Sequence, residues 1–123
     1  MPANVLIVDD SATIRKMLAR VLRQNEVIRG SIFEAGDGVQ ALEVLENHPV
    51  SLVLSDINMP NMDGLEFLKR MRAKGDWAKI PVVMITTEGS EETMLEAMQA
   101  GASAYVQKPF TANQIKKKLS SLL

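Results

Sequence analysis

Hydrophobic and polar positions along the chain fall into two alternating textures. Val5–Val8 and residues 52–54, 82–85 and, more weakly, 104–106 are short, continuously apolar runs rich in β-branched side chains. A strand covered on both faces reads this way, because neither side of it meets water. Residues 31–34 (Ser-Ile-Phe-Glu) form a fifth, less regular run. Between the runs the apolar positions change to helical spacing: Ile14, Met17, Leu18, Val21 and Leu22; then Ala41, Leu42 and Leu45; then Leu65, Leu68 and Met71. Two further segments place Met94, Ala97 and Met98 on one face, and Ile115, Leu119, Leu122 and Leu123 on another. Gly75 and Gly101 stand where helices end, and Ser90 and Thr111 where helices begin. Strand and helix thus alternate five times, which predicts right-handed βαβ units and a doubly wound α/β fold of the flavodoxin-like kind. The expected sheet is five-stranded and parallel, (βα)5, with helices on both faces.

Composition narrows this picture without changing it. With 123 residues, 46% of them hydrophobic, the chain suits one domain spanning residues 1–123, and no repeat or linker suggests a boundary. A formal net charge of -1 supplies no positive field for nucleic acid. The absence of cysteine removes disulfides and thiolate chemistry and fits a reducing compartment. No stretch approaches the roughly 20 apolar residues of a membrane helix, so the expected setting is the cytoplasm.

Candidate chemistry lies just beyond the strands, because the ligand crevice of an open parallel sheet is at the carboxyl ends of its strands. The first run is followed by Asp9-Asp10, the third by Ser55-Asp56, the fourth by Thr86-Thr87-Glu88 and the fifth by Gln107-Lys108-Pro109. One of the first two acids could simply cap the helix that begins near Ser11, but capping does not account for both together with Asp56. Three carboxylates at neighbouring strand ends repel unless a cation joins them, and an all-oxygen set without His or Cys favours Mg²⁺, or Mn²⁺ in its place. Lys108 could be a snorkelling surface lysine; beside a metal it could instead neutralise a phosphoryl oxygen. At Lys108-Pro109 the general X-Pro preference favours a trans bond. His48, before Pro49, reads as an exposed turn residue, and Lys116, Lys117 and Lys118 as a solvated helix face.

Taken together, Asp9-Asp10, Asp56, the loop 59–64 (Met-Pro-Asn-Met-Asp-Gly), Thr86 and Lys108-Pro109 resemble the response regulator receiver domain, in particular its single-domain CheY-like chemotaxis type, over nearly the whole chain. The resemblance implies a phosphorylation-activated signalling switch of a two-component system. In it Asp56 accepts a phosphoryl group from a sensor histidine kinase in a Mg²⁺-dependent reaction. Asp10 and Asp56 would ligate Mg²⁺ directly, Asp9 through water and Asn58 through its backbone carbonyl. Lys108 would clamp the phosphoryl group, and Thr86 and Tyr105 would switch, reshaping the surface of the fourth helix, fifth strand and fifth helix for an unidentified protein target. Such a protein catalyses only its own phosphorylation and dephosphorylation, and Asn58 and Glu88 occupy positions that tune phosphate loss. A monomer or weak dimer is expected, with no nucleic-acid or membrane partner. Ile57 stands where the chemotaxis type has a tryptophan, so Trp77 is expected to lie away from the site. The competing reading is a phosphorylation-independent, receiver-like docking module whose acids serve only as a structural metal site.

Overall fold

The computed structural model describes residues 4–24, 30–87 and 89–122. Five strands, β1 (Val5–Val8), β2 (Ile32–Ala35), β3 (Leu52–Ser55), β4 (Val82–Thr86) and β5 (Ala104–Gln107), form one parallel sheet in the order β2-β1-β3-β4-β5. They alternate with α1 (Ala12–Gln24), α2 (Gly38–Asn47), α3 (Gly64–Ala73), α4 (Glu91–Gln99) and α5 (Ala112–Ser120). The doubly wound expectation is borne out. The chain order reverses at β1, between β2 and β3, and at that switch point the two β–α loops diverge and leave a crevice.

The alternation of side chains along each strand divides the interior in two. Leu6, Val8, Val53, Val82 and Met84 pack with α2, α3 and α4 through Ala41, Leu45, Phe67, Leu68, Met71 and Ala97. Val5, Ile7, Leu52, Leu54, Val83, Ile85 and Val106 pack on the opposite face with Leu18 and Leu22 of α1 and Ile115 and Leu119 of α5. Both faces of β1, β3 and β4 are therefore dry, which is why those runs are apolar throughout.

Several local expectations need correction. The second strand begins one residue later than expected and ends on the buried Ala35, because Ser31 is an exposed edge residue. Gly75 does not cap α3. Instead, Lys74 donates its N–H to the Met71 carbonyl, and Gly75 opens a short 3-10 turn, Gly75–Trp77. Gly101 does cap α4: it adopts φ 108°, the Gly101 N–H bonds to the Met98 carbonyl and the Ala102 N–H to the Ala97 carbonyl, satisfying two terminal acceptors. Ser90 caps the start of α4, and Thr111 with Gln114 forms a reciprocal capping box at α5. On α4 only Ala97 is buried; Met94 and Met98 stay 37% and 42% exposed, since the small Ala97 marks where that helix approaches the sheet. Glu88 and Leu123 lie outside the described residues.

Candidate functional site

The carboxyl rim of the sheet gathers the polar residues that follow the strands. Asp9 follows β1 and is 2% exposed, Asp56 follows β3 and is 8% exposed, and Asp10 faces solvent. Each of the three carboxylates offers an oxygen within 4.8 Å of the other two. The acids are free to converge because neither Asp9 nor Asp10 caps α1: Ser11 does, its hydroxyl accepting from the Ile14 N–H at 3.3 Å. The Asp9 Oδ1 accepts from the Ser11 N–H at 2.9 Å, which holds the turn, and Asp56 Oδ1 accepts from the Ile57 N–H at 2.7 Å.

Lys108 supplies the counter-charge. From the end of β5 its Nζ donates to Asp9 Oδ2 at 2.7 Å and to Asp56 Oδ2 at 3.2 Å. Burial opposes the ammonium form, but the hydrogen bond to Asp9 and the charges of Asp56 and Asp9 outweigh it, so its pKa stands above the ordinary lysine value. Lys108 is therefore charged at neutral pH. One ammonium faces three acids, and such an oxygen-only set with excess negative charge has the chemistry of a Mg²⁺ site. The Lys108–Pro109 peptide is cis, against the trans expectation. The general preference for trans is only roughly 0.5–1 kcal/mol at X-Pro, small enough for the tertiary setting to override.

Thr86 ends β4 fully buried, Tyr105 is half-buried on β5 against the α2–α4 side of the core, and Asn58 is exposed two residues beyond Asp56. His48 is exposed, as expected, and its ring stacks on Phe33 with centroids 4.5 Å apart. The loop between β3 and α3 is tied to the neighbouring loop by two bonds. The Asn61 amide donates to Asp37 Oδ2 at 2.8 Å, and the Gly38 N–H donates to the Met62 carbonyl at 3.0 Å. Asp37 also caps α2 through the Gln40 N–H. These ties escaped sequence reasoning; an Asp-Gly pair preceding a helical segment was the signal available.

Two carboxyls around the crevice carry an acid dependence. The Lys16 hydrogen bond, followed by that of Arg15, holds the Glu34 carboxyl below its ordinary 4.5 despite partial burial. The Gln40 N–H and the Asn61 amide hold Asp37 below its ordinary 3.8. Each binds protons more readily in the unfolded chain, so its stabilisation is complete above the ordinary value and disappears as pH falls through the lower folded value. The urea midpoint is thus expected to fall with decreasing pH below about 4.5, and Glu34→Gln to make that fall shallower. An unchanged pH profile in the variant would refute the assignment.

Comparison with known proteins points one way. The family described as response regulator receiver domain matches residues 5–120. The chain is 38% identical over 121 residues to a chemotaxis protein CheY homolog of Campylobacter jejuni, covering 98% of this chain and 92% of that relative. The solved chemotaxis response regulator CheY4 of Vibrio cholerae superposes with a TM-score of 0.90 at 35% identity, with 100% of each chain covered. A chain of the CheX–CheY–BeF3–Mg²⁺ complex from Borrelia burgdorferi gives a TM-score of 0.90 at 30% identity, with 99% of this chain and 90% of that one covered.

Proposed function

The chain belongs to the response regulator receiver domain family, and on that premise we propose that it is a phosphorylation-activated switch in which Asp56 receives the phosphoryl group. The observation that carries the reading is the Asp56 carboxylate itself. It is held at one oxygen by the Ile57 N–H, faced at the other by Lys108, and lies within 4.8 Å of the Asp9 and Asp10 carboxylates at the crevice rim.

Asp9, Asp10 and Asp56, with the backbone carbonyl of Asn58, would hold Mg²⁺, which when bound neutralises the charge of the incoming phosphoryl group. An Asp56 oxygen forms the new P–O bond as the P–N bond of a phosphohistidine on a sensor histidine kinase breaks; the departing imidazole nitrogen keeps the electron pair and takes up a proton. Lys108 already lies between Asp9 and Asp56 and exchanges a carboxylate contact for a phosphoryl oxygen, offsetting the roughly -1.5 to -2 charge that phosphorylation adds. The Thr86 hydroxyl then turns toward the phosphoryl group and Tyr105 moves inward, altering the surface of α4, β5 and α5 that meets a protein target. Differential interaction of a few kcal/mol between two conformations suffices for such a relay. The protein turns over nothing but its own acyl phosphate, and acts in the cytoplasm as a monomer or weak dimer. The similarity to a CheY found with CheX and Mg²⁺ supports both the metal and a protein partner. Among the described residues no helix is long and apolar enough to cross a membrane.

The test is direct. Incubation with Mg²⁺ and acetyl phosphate is expected to add the mass of one phosphoryl group, and no gain would favour the phosphorylation-independent docking module. A second readout concerns Trp77. It sits in the turn preceding β4, at the opposite end of that strand from Thr86, with Lys74 Nζ 4.1 Å from its ring centroid. Mg²⁺ addition is expected to change tryptophan emission only weakly; strong quenching would place the ion elsewhere.

A further inference from the structure

Asp9 is fixed at nearly every polar atom, whereas Asp10 has no hydrogen bond among the described residues. The Asp9 N–H bonds to the Ala35 carbonyl at 3.0 Å, and its carboxylate is shared between the Ser11 N–H and Lys108. Its carbonyl oxygen accepts from Arg15 Nη1 at 2.6 Å. That carbonyl belongs to the peptide unit joining Asp9 to Asp10. Its orientation is shared by the next residue, so the direction in which Asp10 leaves the backbone depends on it.

Arg15 is itself held. It lies on the first turn of α1 with its side chain 19% exposed, and its Nε donates to Glu34 Oε1 at 3.0 Å. Glu34 stands on β2, paired in register with Ile7, and is also bound by Lys16 at 2.7 Å. The planar guanidinium fork can reach a carbonyl and a carboxylate at once, which a lysine ammonium does less well. Glu34 also balances the positive charge that Arg15 brings close to a cation site. Alone, an arginine there would oppose a divalent ion.

We propose that Arg15, anchored by Glu34, is a positioning residue for the divalent cation: it orients the Asp9–Asp10 peptide so that the otherwise untethered Asp10 carboxylate joins those of Asp9 and Asp56. The proposal rests on the Mg²⁺ site of the preceding section. Groups that hold metal ligands in place typically contribute about 10–100-fold to metal affinity, and an effect near the lower end is expected for one acting through a backbone carbonyl.

Calorimetric titration of the unphosphorylated protein with Mg²⁺, far below the unfolding temperature, tests it. Arg15→Met, which keeps the apolar stem, is expected to raise the Mg²⁺ Kd about tenfold. Glu34→Gln is expected to raise it by a smaller factor, and Arg15→Lys to restore part of the loss. Arg72→Met serves as the comparison. Arg72 Nε and Nη2 bond to the Gly101 carbonyl and its Nη1 to the Ile80 carbonyl, away from the carboxylates, so losing it should lower Tm and leave the Mg²⁺ Kd unchanged. Should Arg15→Met fail to fold, Glu34→Gln and Arg15→Lys carry the test. Wild-type affinity in the foldable Arg15 and Glu34 variants, to within about twofold, would overturn the positioning role. Absence of Mg²⁺ binding by the wild type would instead overturn the metal site itself.

Discussion

Asp56→Asn is expected to gain no phosphoryl group from acetyl phosphate under conditions in which the wild type gains one. The amide has nearly the shape of the carboxylate, and its oxygen can still accept from the Ile57 N–H, so the loop after β3 has no reason to move. It lacks the anionic oxygen that attacks phosphorus. Removing one partner of a buried ion pair usually costs several kcal/mol because a charge is left uncompensated, but here Lys108 retains Asp9 at 2.7 Å. The substitution also relieves repulsion among three clustered acids, of which only Asp9 and Asp56 contact the Lys108 ammonium. Unfolding of the metal-free variant is therefore expected at a temperature equal to or above that of the wild type, while the rise in Tm produced by Mg²⁺ shrinks because one ligand is gone. Loss of phosphorylation in a protein of undiminished stability separates chemistry from folding. An equal mass gain in the variant would move the acceptor away from Asp56.

Gly64→Ala is expected to be the most damaging of the small substitutions near the site. Gly64 is the first residue of α3, and its N–H bonds to the Ile57 carbonyl at 2.7 Å. A Cβ at this position would lie 2.0 Å from the Asp56 carbonyl oxygen and 2.9 Å from the Ile57 Cα. Those atoms are backbone, so no side chain can rotate out of the way. The start of α3 and the segment bearing Asp56 must separate. Overpacking of this kind costs about 1–3 kcal/mol, occasionally more. A lower denaturant midpoint at unchanged slope, with slower phosphorylation by acetyl phosphate, is the expected pair of results. Gly75, at which an added Cβ meets nothing within 4 Å, provides the contrast: Gly75→Ala should be neutral or slightly stabilising. A Gly64→Ala protein as stable as the wild type would show that α3 can yield at no cost.

The strands with both faces buried were legible because a dry environment leaves a local mark, an unbroken apolar run. β1 coincides with its run at Val5–Val8, and β3, β4 and β5 each extend theirs by one polar residue, Ser55, Thr86 and Gln107. The edge strand β2 was placed less well, because its partly wetted residues carry a weaker pattern. On α4 the period identified Met94, Ala97 and Met98 as one face, but only Ala97 is covered. Periodicity defines a stripe; how deeply it sinks depends on what packs against it.

From local order alone, the sequence determined the succession of elements, the parallel sheet and the placement of acids after the first and third strands, since each depends on neighbours a few residues apart. Tertiary structure decided which charges meet. Lys108 is 99 residues from Asp9 and 52 from Asp56 along the chain, and Arg15 finds Glu34 across the gap between α1 and β2. It also decided that Ser11 rather than an aspartate caps α1, that the Lys108–Pro109 bond is cis and that Gly64 must lack a side chain. The charge pairs and the close packing at Gly64 follow from how closely two separate segments approach, a distance that no pattern within one segment encodes.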